Sequence, residues 1–118
     1  MNRPGSGEGL DLDAALVRVG GDIDLLIEIT RLFLDEYPRS LAEVRDGARR
    51  ADFAVVERSA HGLKGAASNF GAVEVVGAAL RIEQMGRART LEEFPTALAT
   101  LEAALAALRA ELEALIAR

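Results

Sequence analysis

The stretch DFAVVERSAHGLKGAASNFGA, Asp52 to Ala72, decides the fold. Phe53, Val56, Ala60, Leu63, Ala67 and Phe70 step by three and four residues without a fault, the spacing that lines one stripe of an α-helix. Asp52 precedes the first apolar position as an N-cap, and Phe70-Gly71 closes the run. A stripe this regular is the seam of a helical bundle, so the stretch calls for partner helices.

The same spacing recurs on both sides of it. Upstream, Asp22 caps a long second helix whose apolar positions are Leu26, Phe33, Tyr37, Leu41, Val44 and Ala48. Pro38 falls inside that pattern and removes one backbone hydrogen bond, which predicts a kink near Leu34 or a break. Further upstream, Asp11 or Asp13 caps a short helix through Ala14, Leu16, Val17 and Val19, stopped by Gly20-Gly21. Residues 1–9 are rich in Gly, Pro and Ser and read as a disordered tail. Downstream, a fourth helix runs from about Ala72 to Met85 or Arg87. Thr90-Leu91-Glu92-Glu93 reads as a capping box opening the fifth, with Pro95 in its first turns. Phe94, Leu98, Leu101, Leu105, Leu108, Leu112 and Leu115 carry the stripe onward. The expected fold is all-α, an antiparallel four-helix bundle with a short N-terminal cap helix, as one domain over residues 10–118.

Composition agrees and narrows the function. A chain of 118 residues holds one core. With half its residues apolar and only 4% aromatic, that core must be aliphatic, and Ala and Leu favour helices. The absence of cysteine excludes disulfides and thiolate metal sites and fits a reducing compartment. A net charge of −5 with no basic stripe speaks against nucleic acid as a partner. No apolar run approaches a membrane span and Met1 to Gly9 has no secretory apolar region, so the expected location is cytoplasmic.

The second helix is more apolar than one seam requires. Leu25, Ile29 and Leu32 form a further stripe ending at Glu36. Two readings stand: burial beneath the first helix, or an apolar patch for a partner.

The third helix carries the only histidine in the chain. His61 lies towards the solvent edge of the seam, on one line with Glu57, Gly65 and Ser68, and Lys64 sits between that line and the core. Gly62 and Gly65 are unexpected, because glycine inside a helix costs roughly 1 kcal/mol relative to alanine. Gly62 faces solvent and reads as clearance beside the ring; Gly65 serves clearance or close helix approach. On the fourth helix, Glu74, Arg81 and Gln84 mark the solvent side, while Glu83 falls among Val76, Ala79 and Leu80 on the core side. A carboxylate on an apolar face needs a partner, and His61 and Lys64 are candidates. The alternative is a Glu83 that reaches the rim.

One histidine, one lysine and one carboxylate limit the chemistry. Ser59 and Ser68 lie on plain helix without a nucleophile elbow, which argues against hydrolysis. A lone histidine without Glu-x-x-His argues against a metal centre. No glycine-rich phosphate loop follows a strand. What remains is an imidazole attacking an activated phosphoryl group, with Lys64 offsetting its charge.

These residues are recognisable. Ala60-His61-x-Leu63-Lys64-Gly65-Ala66-Ala67, then Gly71-Ala72, then Leu80-x-x-Glu83 before Gly86, resembles histidine-containing phosphotransfer (HPt) domains of two-component phosphorelays. The resemblance spans roughly residues 10–117. It implies that His61 takes a phosphoryl group from the aspartyl phosphate of a receiver domain and hands it to another receiver. Lys64 would be the basic neighbour, Gly65 the small residue beside the ring, and Glu83 the hydrogen-bond partner of the imidazole. Receivers would dock on Leu25, Ile29, Leu32 and Glu36, with Gly62 and Ser68 beside them. The resemblance further implies no cofactor, with Mg²⁺ supplied by the receiver, an upstream hybrid histidine kinase, and a monomeric carrier rather than a turnover enzyme. The rival is a helical adaptor that regulates a receiver or kinase without carrying phosphate.

Overall fold

Three aspartates start the first three helices. Asp11, Asp22 and Asp52 accept the backbone N–H of Ala14, Leu25 and Val55 at 3.1, 3.1 and 3.2 Å, each satisfying a donor that the first turn leaves unpaired. The computed structural model describes residues 9–117. They form α1 (Leu12–Arg18), α2 (Ile23–Arg49), α3 (Phe53–Ser68), α4 (Val73–Ala88) and α5 (Phe94–Ile116). Helix α2 packs on α3, α3 on α4, α4 on α5, and α5 back on α2, while α1 lies against α2. The short connections between successive long helices make them antiparallel neighbours. This is the expected bundle with its cap helix.

The predicted seams meet in one core. Leu26, Phe33, Tyr37, Leu41 and Val44 of α2 are buried against Val56, Ala60, Leu63 and Ala67 of α3 and the leucines of α5 from Leu101 to Leu115. Phe33 sits between Tyr37, stacked at 5.3 Å, and Phe70, edge-on at 5.1 Å. Two buried positions of α2 lay outside the apolar pattern. Thr30 satisfies its hydroxyl on the Leu26 carbonyl at 2.7 Å. Gly47 lets α3 come close, since a Cβ there would stand 2.9 Å from Val55 Cγ1.

Several expectations need correction. Helix α2 runs unbroken through Pro38, so the break does not occur. Val17 and Leu80 are exposed. The buried face of α4 is instead Val75, Ala78, Ala79, Ile82, Glu83, Met85 and Gly86. The capping box does not form: Glu93 is the N-cap of α5 without a side-chain hydrogen bond. Thr90 donates its N–H to the Met85 carbonyl at 3.1 Å, finishing α4 around Arg89 at φ 58°. The expected tail, residues 1–9, is cut short at its last member. The Gly9 N–H donates to Glu111 Oε1 at 2.8 Å, and a Cβ on Gly9 would stand 2.5 Å from the Leu108 Cα. Residues 1–8 and Arg118 lie outside the described residues.

Candidate functional site

His61 and Lys64 stand one helical turn apart on α3, and both reach Glu83 on α4. His61 Nδ1 lies 3.1 Å from Glu83 Oε2, and Lys64 Nζ lies 2.7 Å from Glu83 Oε1. The helices can meet so closely because residue 86 is glycine. A Cβ there would fall 2.7 Å from the Glu57 backbone nitrogen and 2.9 Å from the Phe53 carbonyl oxygen. Exposure grades across the site: the side chain of His61 is 66% exposed, Lys64 25% and Glu83 4%. A buried carboxylate thus holds one edge of an imidazole whose remainder faces outward. The rim position allowed for Glu83 is thereby excluded.

Glu83 is ionised by its neighbours. Its carboxyl is held below the ordinary carboxylate range, first by the hydrogen-bonding Lys64 ammonium and then by His61, against a desolvation that pushes the other way. An ionised carboxylate can only accept, so the proton of this bond sits on Nδ1 and the lone pair of the neutral ring is left on Nε2. Oε1 is paired with the Lys64 ammonium, at 2.7 Å.

Two further residues belong to this cluster: Arg87, which the sequence did not single out, and Glu57, which it placed on the line of His61 without a role. Arg87 donates Nη2 to Glu83 Oε2 and Nε to Glu57 Oε2, both at 3.0 Å. Its pKa is raised, chiefly by Glu57. The signals were the i,i+4 spacings Glu83–Arg87 and Glu57–His61, which resemble any solvated pair on a helix.

Both interior glycines of α3 face open space: apart from their chain neighbours and the helix's own backbone, no heavy atom of the described residues lies within 4 Å of an added Cβ at Gly62 or Gly65. The close-approach role for Gly65 is therefore ruled out, and clearance remains. The second stripe of α2 is not buried beneath α1. Leu25 is 40% and Leu32 61% exposed, Ile29 is half-buried and Glu36 exposed. Ile29, Leu32, Glu36 and Gly62 line one groove between α2 and α3, floored by Phe33 and Leu63. Leu25 and Ser68 are not part of that lining. Ser68 is half-buried and returns its hydroxyl to the Gly65 carbonyl at 2.6 Å. Among the described residues no three His, Cys, Asp or Glu side chains converge as a metal site would require, and no helix is long and apolar enough to cross a membrane.

Residues 28–115 match the Hpt domain family. The fold is similar to that of histidine-containing phosphotransfer protein B (HptB) from Pseudomonas aeruginosa PAO1, at a TM-score of 0.83 and 22% identity over 92% of this chain and 94% of that one. It is also similar to the HPT domain from the Hpt sensor hybrid histidine kinase from Shewanella, at a TM-score of 0.81 and 19% identity over 93% and 95% of the two chains. No curated protein matches the chain.

Proposed function

The chain belongs to the Hpt domain family, phosphotransfer intermediates of two-component phosphorelays, and from that premise we propose that His61 is its phosphoacceptor. One observation carries the assignment: the chain's only histidine is held through Nδ1 by a buried carboxylate while most of its ring faces solvent.

In the forward step the Nε2 lone pair attacks the phosphorus of a receiver's aspartyl phosphate. The N–P bond forms as the P–O bond to the aspartate breaks, and the aspartate leaves as carboxylate. The ring acquires positive charge, and the proton stays on Nδ1, which donates its hydrogen bond to Glu83 Oε2. Glu83 thus orients the ring and stabilises the charge that develops in transfer. Lys64 turns from Glu83 Oε1 towards the incoming phosphoryl oxygens. The reverse step delivers the group to a second receiver. Gly62 and Gly65 leave the receiver's loops room to reach the ring, and Leu25, Ile29, Leu32, Glu36 and Ser68 lie on the proposed docking side.

On this reading the protein is a monomeric cytoplasmic carrier, charged through a hybrid histidine kinase and its receiver, and it is no turnover enzyme. It needs no cofactor of its own, because the Mg²⁺ of transfer belongs to the receiver. A non-phosphorylated adaptor would have no use for an oriented and exposed imidazole.

The test is incubation with a phosphorylated receiver. One label on nitrogen, stable in base and lost in acid, is expected on the wild type and none on His61→Gln. Equal labelling of that variant would overturn the assignment.

A further inference from the structure

The proposed transfer has a cost that falls before the N–P bond forms, while the ring of His61 carries no charge to offset Glu83. Glu83 is 4% exposed and ionised, and at rest it is compensated by two cations, Lys64 on Oε1 and Arg87 on Oε2. When Lys64 turns to a phosphoryl group, the buried carboxylate loses the neighbour that contributes most to its ionisation. A buried charge left without a counter-ion is strongly destabilising. Until the ring has gained its charge, that penalty would, without a second cation, pin Lys64 to Glu83 and keep it from the phosphate.

The geometry points to Arg87 as the residue that removes this penalty. We propose that Arg87 is a positioning residue for phosphoryl transfer, holding Glu83 in an ion pair and seated on His61 while Lys64 leaves for the phosphoryl group. Three features fit that task. Arg87 bonds Oε2, the same oxygen that accepts from His61, and so does not compete with Lys64 for Oε1. Its guanidinium, on a side chain 63% exposed, is bonded on the other edge by Glu57, so two donors of one fork bridge the α3–α4 seam. Glu57 is itself one turn before His61, which keeps the guanidinium beside the ring's base and engaged with carboxylates. Arg87 therefore acts through Glu83 and makes no contact with the phosphoryl group.

This inference rests on the phosphoacceptor assignment, and the test separates the two. Single-turnover transfer from a phosphorylated receiver is followed against receiver concentration for the wild type, Arg87→Ala, Arg87→Lys, Glu83→Gln, and Arg87→Ala combined with Glu83→Gln. Arg87→Ala should slow transfer at saturating receiver about tenfold, the size expected of one hydrogen bond between charged groups, with the half-saturating concentration unchanged. Arg87→Lys should recover part of the loss, since an ammonium supplies the charge without the fork. In the Glu83→Gln background the arginine substitution should cost nothing more, because a neutral amide needs no counter-cation. Wild-type transfer by Arg87→Ala overturns the proposal. So does an equal loss in both backgrounds, which would place Arg87 on the phosphoryl group or the receiver, or a change in half-saturation alone, which would make it a docking residue. Each of those results leaves the label on His61. Label on any other residue of the wild type overturns the phosphoacceptor reading and this inference together.

Discussion

His61 stands between two unlike sides of α3. Towards α4 the bundle is closed, backbone against backbone at Gly86, and the contact is charged: Glu83, Lys64, Arg87 and Glu57 form a connected set. Towards α2 the surface is open and apolar, with Leu32 over a groove edged by Gly62, and with Gly65 facing open space. The difference teaches a division of labour. The closed side fixes one histidine nitrogen, and fixing needs rigid, desolvated partners. The open side leaves area and clearance for a second protein, and docking needs exposed apolar surface. Glycine serves both sides for opposite reasons, as a spacer that lets helices touch at Gly86 and as a gap that lets nothing intrude at Gly62 and Gly65.

The glycines offer the largest contrast. Gly86→Val would drive a branched side chain into the Glu57 and Phe53 backbone, and should destabilise the bundle by about 1–3 kcal/mol in a denaturant titration. Gly65→Ala meets open space and should stabilise it by up to about 1 kcal/mol, the helix-propensity difference, yet slow transfer from a docked receiver. Similar losses of stability in both variants would erase the distinction between the two sides.

A smaller effect should separate binding from folding on the open side. Leu32→Glu should weaken receiver binding by about 1 kcal/mol or more if the groove is part of the interface. Its unfolding free energy should stay within about 0.5 kcal/mol of wild type, as for other surface changes. A large fall in melting temperature with unchanged affinity would return Leu32 to the core.

How much of this contrast could be read in advance depends on how local each signal is. The α3 seam was legible because apolar spacing is written residue by residue, and Glu83 was legible because a carboxylate breaks that spacing. The face of α4 was harder. Ala78, Ala79 and Gly86 bury little apolar mass, so Leu80 pulled the expected face away from its true centre. The Thr90–Glu93 pattern matched a capping box, but the Thr90 N–H was already committed to the end of α4. Periodicity marked Leu25, Ile29 and Leu32 as apolar without saying what covers them. Arg87 and Glu57 look like ordinary surface charges until α3 and α4 are set at the distance that Gly86 allows.

The smallest expected effect is that of pH on the closed side. The folded pKa of Glu83 is lowered from the usual value near 4.5. Its contribution to stability is therefore present at neutral pH and lost as pH falls through the lowered value. The stability gap between wild type and Glu83→Gln should be constant at neutral pH and close below about pH 4.5. A gap that widens on acidification would mean that the carboxylate is destabilised in the fold, contrary to its pairing with Lys64 and Arg87.

The most direct measurement is the position of the phosphoryl group on the ring. Long-range proton–nitrogen correlation with phosphorus coupling, on the ¹⁵N-labelled phosphorylated protein, distinguishes the two nitrogens. Phosphorus is expected on Nε2 of His61, with Nδ1 protonated and bonded to Glu83. Phosphorus on Nδ1 would contradict it, because that nitrogen would then have to leave the carboxylate on which the site is built.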